Sequence, residues 1–321
     1  DDENREVIYN SRAAMPQLTL IAGPTAVGKT ALSLELVARL DAEILVADSR
    51  QVYRGMDLGT AKPTPVECAA IPHHGIDLCA PDHPFTVAEW VADAARAIAD
   101  ITGRGKRVLV VAGTGLYVKA LTDGWDFGGV GVDEELRSEL RAILQEYGLP
   151  ALWSKLLIHD PAAADTIDSQ NPARVLRALE IVLTTGQPLA ALRGTAVSDY
   201  TIQGVVLTRE KAELEARIVD RVDAMLADGW LEEVRALHAL REWPSAAPAL
   251  TGIGYAELAE VLRGARTLEA ARKRIIIRTR QYAKRQLTWW RAQPYPFVAL
   301  TCASDLSMLA ESLADSWRTP S

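Results

Sequence analysis

The run Gly23-Pro24-Thr25-Ala26-Val27-Gly28-Lys29-Thr30 has the G-x-x-x-x-G-K-T spacing of a loop that cradles phosphate. Its two glycines let the backbone turn several N–H groups inward, and a helix starting behind them adds partial positive charge. Lys29 brings a full charge to terminal phosphates, and Thr30 a hydroxyl for Mg²⁺. The loop therefore predicts a bound diphosphate or polyphosphate. By frequency alone such a loop announces ATP or another nucleoside triphosphate, and the residues elsewhere in the chain must say which ligand it holds.

Asp48 stands directly after a second apolar run, in Ala47-Asp48-Ser49-Arg50-Gln51-Val52-Tyr53. A carboxylate there can coordinate Mg²⁺, act as a general base, or cap a turn, and spacing does not separate the first two. Gly113-Thr114-Gly115-Leu116-Tyr117 follows a third apolar run. Its glycines would let Thr114 approach a ligand closely, and a plain strand-to-helix turn would read the same. Arg217 and Arg221 are four apart, and Arg221 falls within the apolar stripe of Leu214, Ile218 and Met225. A buried arginine needs an anion, either a carboxylate or a bound diphosphate. Arg174 and Arg177 with Glu180 read as a solvated helix face. His73 and His74 lack a third metal ligand at useful spacing, so a structural or substrate-contact role is expected.

The elements that position these residues follow a βα rhythm. Leu18–Ala22, Ile44–Ala47 and Val108–Ala112 are short and aliphatic, as buried parallel strands are. A helix from Thr86 to about Thr102 opens with the capping box Thr86-Val87-Ala88-Glu89. After Gly124 only helices are expected as far as Gly186. One spans Asp133–Tyr147, and the pairs Asp160-Pro161 and Asn171-Pro172 each join a capping side chain to a proline at the first helical position. Gln203–Leu207 reads as a returning strand. Thr208 caps a long helix to Asp228, with Gly229 as its stop, and helices at Tyr255–Arg263 and Thr267–Arg291 precede an edge strand, Val298–Leu300. The fold class is α/β, a P-loop-containing doubly wound parallel sheet core with an inserted all-helical subdomain. Residues 16–122 and 200–301 form the core, 123–199 the insertion, 1–15 a tail and 302–321 a loosely docked tail.

Composition is that of a soluble globular protein: 321 residues, 49% hydrophobic and 24% charged. No apolar run approaches the roughly 20 residues that span a bilayer, and no signal peptide is visible. Cys68, Cys79 and Cys302 make neither a disulfide framework nor a zinc motif. A monomer in the cytoplasm is expected. The net charge of −7 argues against nucleic acid, yet Arg272 to Arg291 carries eight basic residues and no acid, interleaved with Tyr282, Trp289 and Trp290. Two adjacent tryptophans cannot both point to the core of one helix, so at least one is expected to be available for stacking or for docking another segment.

Six blocks in order resemble the bacterial tRNA dimethylallyltransferase family, also called tRNA isopentenyltransferases. They are GPTAVGKT from Gly23, ADSRQVYRGMDLGTAKP from Ala47, PHHGIDL from Pro72, AGTGLYVKAL from Ala112, NPARVLRALE from Asn171 and RQYAKRQLTWWR from Arg280. LTGIGYAEL from Leu250 is a seventh. The resemblance covers about Leu18 to Arg291. It implies transfer of a dimethylallyl group from dimethylallyl diphosphate to the exocyclic N6 amine of the adenosine just 3′ of the anticodon. It further implies that the loop from Gly23 to Thr30 (Pro24, Thr25, Ala26, Val27 and Gly28 included) holds the diphosphate with Arg217 and Arg221. Thr30 would hold Mg²⁺, Lys29 and Arg221 would neutralise the departing pyrophosphate, Asp48 would be the base, and Thr114 would lie near the amine.

By the same matching, tRNA would meet Asp48, Ser49, Arg50, Gln51, Thr114, Arg137, Ala173, Arg174, Val175, Leu176 and Arg177. Gly252, Gly254, Tyr255, Lys284, Arg285, Gln286, Trp289 and Arg291 complete that set. Two departures stand out. Val27 replaces a serine common in the family, and Ala173 replaces a glutamine, so one tRNA contact is lost or replaced. The carboxyl end lacks the zinc finger of eukaryotic relatives. The competing readings are an adenylate isopentenyltransferase acting on free nucleotide, a small-molecule kinase, and a nucleotide-regulated RNA-binding module.

Overall fold

The structure, a computed structural model, describes residues 15–124, 133–192, 199–240, 251–301 and 305–318. The segment 1–14, Leu250 and Cys302 lie outside the described residues. Every residue of β1 (Gln17–Ala22) after Gln17 is buried. Gly23 and Gly28, at φ +143° and +116°, turn the chain into α1 (Lys29–Leu40). β2 (Ala42–Ala47) is buried throughout. The capping box Thr64/Glu67 opens α2 (Pro65–Ala70), and β3 (His73–His74) follows. The expected box of Thr86 and Glu89 starts α3 (Val87–Gly103), before β4 (Arg107–Ala112) and α4 (Gly115–Thr122).

Next come α5 (Glu134–Tyr147), capped by Asp133, and α6 (Leu149–His159). A 3₁₀ turn at Pro161–Asp165 leads to α7 (Pro172–Thr185), which Asn171 caps, and to α8 (Leu189–Leu192). The chain returns as β5 (Thr201–Thr208), then α9 (Lys211–Ala227), α10 (Trp230–Leu240) and α11 (Tyr255–Leu262). The long α12 (Leu268–Arg291), β6 (Phe297–Ala299) and α13 (Asp305–Arg318) end it.

All strand pairs are parallel, in the order β3-β2-β4-β1-β5-β6. Alternation along each strand splits the core between two faces. Leu20, Leu45, Val108 and Val110 join one cluster with Trp90 of α3 and Ile275 of α12. Ile21, Ala42, Leu109 and Leu207 join another with Leu32 and Leu36 of α1. The chain divides into two compact units, Asp123–Ser198 and the remainder. The smaller unit has its own core around Leu140, Leu152, Leu156, Val175 and Leu179. Its fully buried Glu180 receives Arg137 at 2.8 Å and faces Arg177 at 3.0 Å.

Some expectations are corrected. Within the segment 302–321, expected as a loose tail, the described residues 305–318 form α13, which lays Ala310, Leu313, Ala314 and Trp317 into the cluster that α1 shares. Its backbone is tied as well, since Arg107 donates to the Trp317 carbonyl at 2.8 Å. Glu210, not Thr208, caps α9, because Thr208 ends β5 and donates its hydroxyl to Val298. Asp160 caps nothing with its side chain at Pro161. Its buried carboxylate instead accepts the Leu189 N–H at 2.9 Å. α10 was not expected at all.

Candidate active site

The glycine loop can exist only with glycine at its start: a Cβ on Gly23 would stand 2.7 Å from the Leu207 carbonyl oxygen. Inside the loop the Lys29 ammonium donates to the carbonyls of Gly23 (3.0 Å) and Pro24 (2.9 Å). Burial lowers its pKa to about 8, Arg221 pushes the same way, and Asp48 opposes both. Thr30, at the first turn of α1, is exposed.

Three arginines on and before α9 wrap the loop from the other side. Arg209 donates to the Val27 carbonyl (2.8 Å), Arg217 to that of Ala26 (2.8 Å) and Arg221 to the Thr25 hydroxyl (3.2 Å). Arg209 is neutralised by Glu213. Arg217 and Arg221 have no carboxylate partner among the described residues, and burial, only partly offset by Asp48, lowers the pKa of Arg221. The open question at Arg221 is thereby narrowed: the anion it needs is not supplied by the described part of the chain.

Asp48 and Thr114 meet because β2 and β4 are neighbours in register, Ala47 opposite Ala112. The Gly113 and Thr114 amides both donate to the Ala47 carbonyl, at 3.2 and 3.0 Å. The Thr114 hydroxyl accepts the Ser49 N–H at 3.2 Å, and Asp48 accepts that of Arg50 at 2.8 Å. Gly113 makes room for the carboxylate, since a Cβ there would lie 2.9 Å from an Asp48 oxygen. Gln286 of α12 joins the two halves. Its amide accepts from the Thr25 N–H and donates to the Gly113 carbonyl, both at 2.8 Å. Tyr282, one turn earlier, bonds Thr114, and its phenol pKa is raised by burial and then by the Asp48 charge.

Asp48, Gly113, Tyr282 and Gln286 line one cavity of about 790 Å³, and Thr114 lies outside its lining. Thr25 to Thr30, Asp48 to Gln51, Arg217, Arg221, Gly252, Arg285 and Gln286 all reach it. Gly23 and Pro24 are buried and outside its lining. Below Asp48, Val46 faces the cavity beside its register partner Val111, and Ile44 continues the apolar row. His73 reaches the wall, with its Nδ1 2.7 Å from the Ile71 carbonyl, whereas His74 pairs with Glu43 at 2.8 Å.

Other sequence-derived positions lie elsewhere. Tyr255 is 1% exposed and donates to Glu233, and the Gly254 amide donates to Glu257. Both build the start of α11 and present no side chain to RNA. Trp290 is in the core, and Trp289 packs over Gly115, where a Cβ would sit 1.9 Å from the indole nitrogen. Of the two uses expected for the outward tryptophan, stacking or docking another segment, the packing of Trp289 on Gly115 is the docking one. Lys284, Arg285 and Arg291 are exposed, Arg285 lying 5.9 Å from the Tyr282 ring centroid.

In the smaller unit Ala173 and Arg174 are exposed, but Val175 and Leu176 pack into the apolar cluster. Arg137 and Arg177 are engaged by Glu180. The face taken as solvated is therefore half core. Arg209, Tyr282 and Glu233 were missed. Arg209 follows β5 as Asp48 follows β2, and that strand-end position was its only signal.

The IPP transferase family model matches residues 51–293, and an isopentenyl transferase model matches residues 16–73. A tRNA dimethylallyltransferase of Roseiflexus sp. is 42% identical, covering 94% of this chain and 99% of its own. One from Symbiobacterium thermophilum is 45% identical over 86% of each. The crystal structure of the full-length tRNA isopentenylpyrophosphate transferase of Bacillus halodurans is 38% identical with a TM-score of 0.68, covering 95% and 97%. A eukaryotic dimethylallyltransferase captured acting on tRNA is 27% identical with a TM-score of 0.78, covering 93% and 77%. The loop, the strand-end acid and these likenesses agree, and the chain belongs to the IPP transferase family, the tRNA dimethylallyltransferases.

Proposed function

We propose that this protein transfers the dimethylallyl group of dimethylallyl diphosphate to the N6 amine of the adenosine 3′-adjacent to the anticodon of tRNA, releasing pyrophosphate. One observation carries the reading: a single cavity is lined by Thr25 to Thr30 of the phosphate loop, two arginines without carboxylate partners among the described residues, and Asp48, with Thr114 bonded to Ser49 beside it. The loop amides, Lys29, Arg217 and Arg221 grip the diphosphate. As the bond from C1 to the bridging oxygen breaks, the electron pair leaves with pyrophosphate, and these cations stabilise the growing charge. The N6 nitrogen bonds C1 and loses a proton to the Asp48 carboxylate, while Thr114 orients the amine. The row of Ile44, Val46 and Val111 offers the hydrocarbon tail an apolar wall.

Mg²⁺ fits this site as a substrate-borne ion. Among the described residues no cluster of three or more His, Cys, Asp or Glu could cage a metal. Mg²⁺ commonly takes one or two protein groups with phosphates and water, and the Thr30 hydroxyl would be such a group. When bound it would neutralise charge on the diphosphate. We assign a monomer, working in the cytoplasm where its tRNA is found.

The test is to incubate the protein and Mg²⁺ with labelled dimethylallyl diphosphate and either unmodified tRNA or AMP. Label should enter tRNA alone. Label in AMP alone would identify a free-nucleotide enzyme, and ATP turnover with label in neither would identify a kinase. Asp48→Asn should slow transfer by about 10²–10⁴-fold with tRNA binding intact. Binding lost in step with rate would remove Asp48 from the role of base.

A further inference from the structure

We infer that Glu233, on α10 and outside every motif noted in the sequence, is a positioning residue that fixes two walls of the reaction cavity. Its carboxylate accepts the backbone N–H groups of Asp57 (2.9 Å), Leu58 (2.7 Å) and Gly59 (3.3 Å), and the hydroxyl of Tyr255 (2.7 Å). Three consecutive amides aimed at one point make an anion-binding concavity, filled here by the protein's own acid.

The clamped residues lead straight into the cavity wall. Gly59, Thr60, Ala61 and Pro63 line it, and so does Gln51, which donates to the carbonyls of Thr60 (3.0 Å) and Ala61 (3.2 Å). On the other side Tyr255 follows Thr251, Gly252 and Ile253, which line it too. Trp230, one turn before Glu233, seals the junction. Its indole lies 2.1 Å from where a Cβ on Gly59 would be and 2.0 Å from one on Gly254. One carboxylate thus ties the segment after β2 to the segment before α11. An acid suits the site, because three of the four partners are backbone N–H groups that can only donate, and a glutamine with its oxygen toward Asp57 and Leu58 would turn its own N–H donors toward Gly59.

This role rests on the cavity being the transfer site, whereas the clamp itself can be read without turnover. In Glu233→Gln, hydrogen exchange at the amides of residues 57–59 should quicken at least about tenfold, with β1 and β4 amides unchanged. With tRNA and dimethylallyl diphosphate, kcat per pyrophosphate-binding site should fall at least about tenfold, the cost of misplaced walls. The Kd for pyrophosphate, set by the Gly23–Thr30 loop, should stay within about twofold. Tyr255→Phe removes one donor of four and should show the same pattern in weaker form, beginning at Gly59.

Exchange at residues 57–59 unchanged in both variants would overturn the clamp. Loss of kcat in proportion to the number of pyrophosphate sites would reduce Glu233 to a merely structural residue. Failure of the wild-type protein to modify tRNA would count against the proposed function alone, and the exchange result would still decide the clamp.

Discussion

Lys29 is surrounded by its own loop and by Arg221, and the price of that burial is a pKa near 8. The sign follows directly. The free ammonium is half titrated near pH 8 and essentially complete only about a unit lower, and a bound diphosphate raises its pKa again, so binding takes up a proton at higher pH. Affinity for pyrophosphate should therefore hold up to about pH 7 and drop by up to about tenfold per unit above about pH 8. Titration calorimetry between about pH 7 and 10 checks this, with Lys29→Arg as the control, because arginine stays charged throughout. A profile of the same shape in both proteins would assign the decline to the ligand. Gly113 poses a steric question on the same scale. Its substitution by alanine drives a Cβ against the Asp48 carboxylate, 2.9 Å away, and against Gln286 at 3.4 Å. Displacing a base by a fraction of an ångström to an ångström can cost about 10²-fold in rate. Gly113→Ala should lower kcat by about that factor while Kd for pyrophosphate is kept, and an unchanged kcat would show that Asp48 can swing without loss.

At the level of elements, α13 supports the helix that carries the phosphate loop. Trp317 is 6% exposed in the cluster it shares with Leu32 and Leu36 of α1, and Arg39 of α1 donates to Ser307 at 2.9 Å. Truncating a buried tryptophan costs about 3–5 kcal/mol. Trp317→Ala should lower the urea midpoint accordingly and leave kcat unaltered well below Tm, and a kcat lowered there would mean that α13 also sets the geometry of Lys29 and Thr30. This helix illustrates what the sequence left hidden. Leu306, Leu309, Ala310, Leu313 and Trp317 have helical spacing, but nothing local says which surface they will meet. Signals made of neighbouring residues were readable: the box of Thr86 and Glu89, the Asn171-Pro172 start, and the loop glycines with Lys29. Asp48 and Thr114 were readable as strand-end residues, because a parallel sheet collects such residues along one edge. Long-range partnerships were not. Gln286 reaches Thr25 across 261 residues, Glu233 holds amides about 175 positions away, and Glu180 takes Arg137 and Arg177, two of the arginines assigned to RNA. A polar side chain's type does not reveal which distant backbone group it will satisfy.

For the molecule as a whole, a net charge of −7 opposes a polyanion, so the place where tRNA is attracted depends on which cations remain uncompensated. The basic stretch of α12 divides in this respect. Along its first part Arg272 is held by Asp223, Lys273 by Glu269 at 2.7 Å, Arg278 by Glu257, and Arg280 faces Glu215 at 3.7 Å. Along its last turns Lys284, Arg285 and Arg291 are exposed and have no carboxylate partner among the described residues. A paired arginine already has its counterion and releases none from the nucleic acid, whereas an unpaired one does. The eight charges that look equivalent in sequence are thus expected to contribute unequally. Measuring tRNA affinity across a salt series should show the slope of log K against log salt reduced by about 0.7–0.9 in Arg285→Ala, and similarly for Lys284→Ala and Arg291→Ala. Arg272→Ala and Lys273→Ala should leave that slope unaltered. Equal slope changes along the whole helix would mean that the acids beside its first part let go when RNA binds.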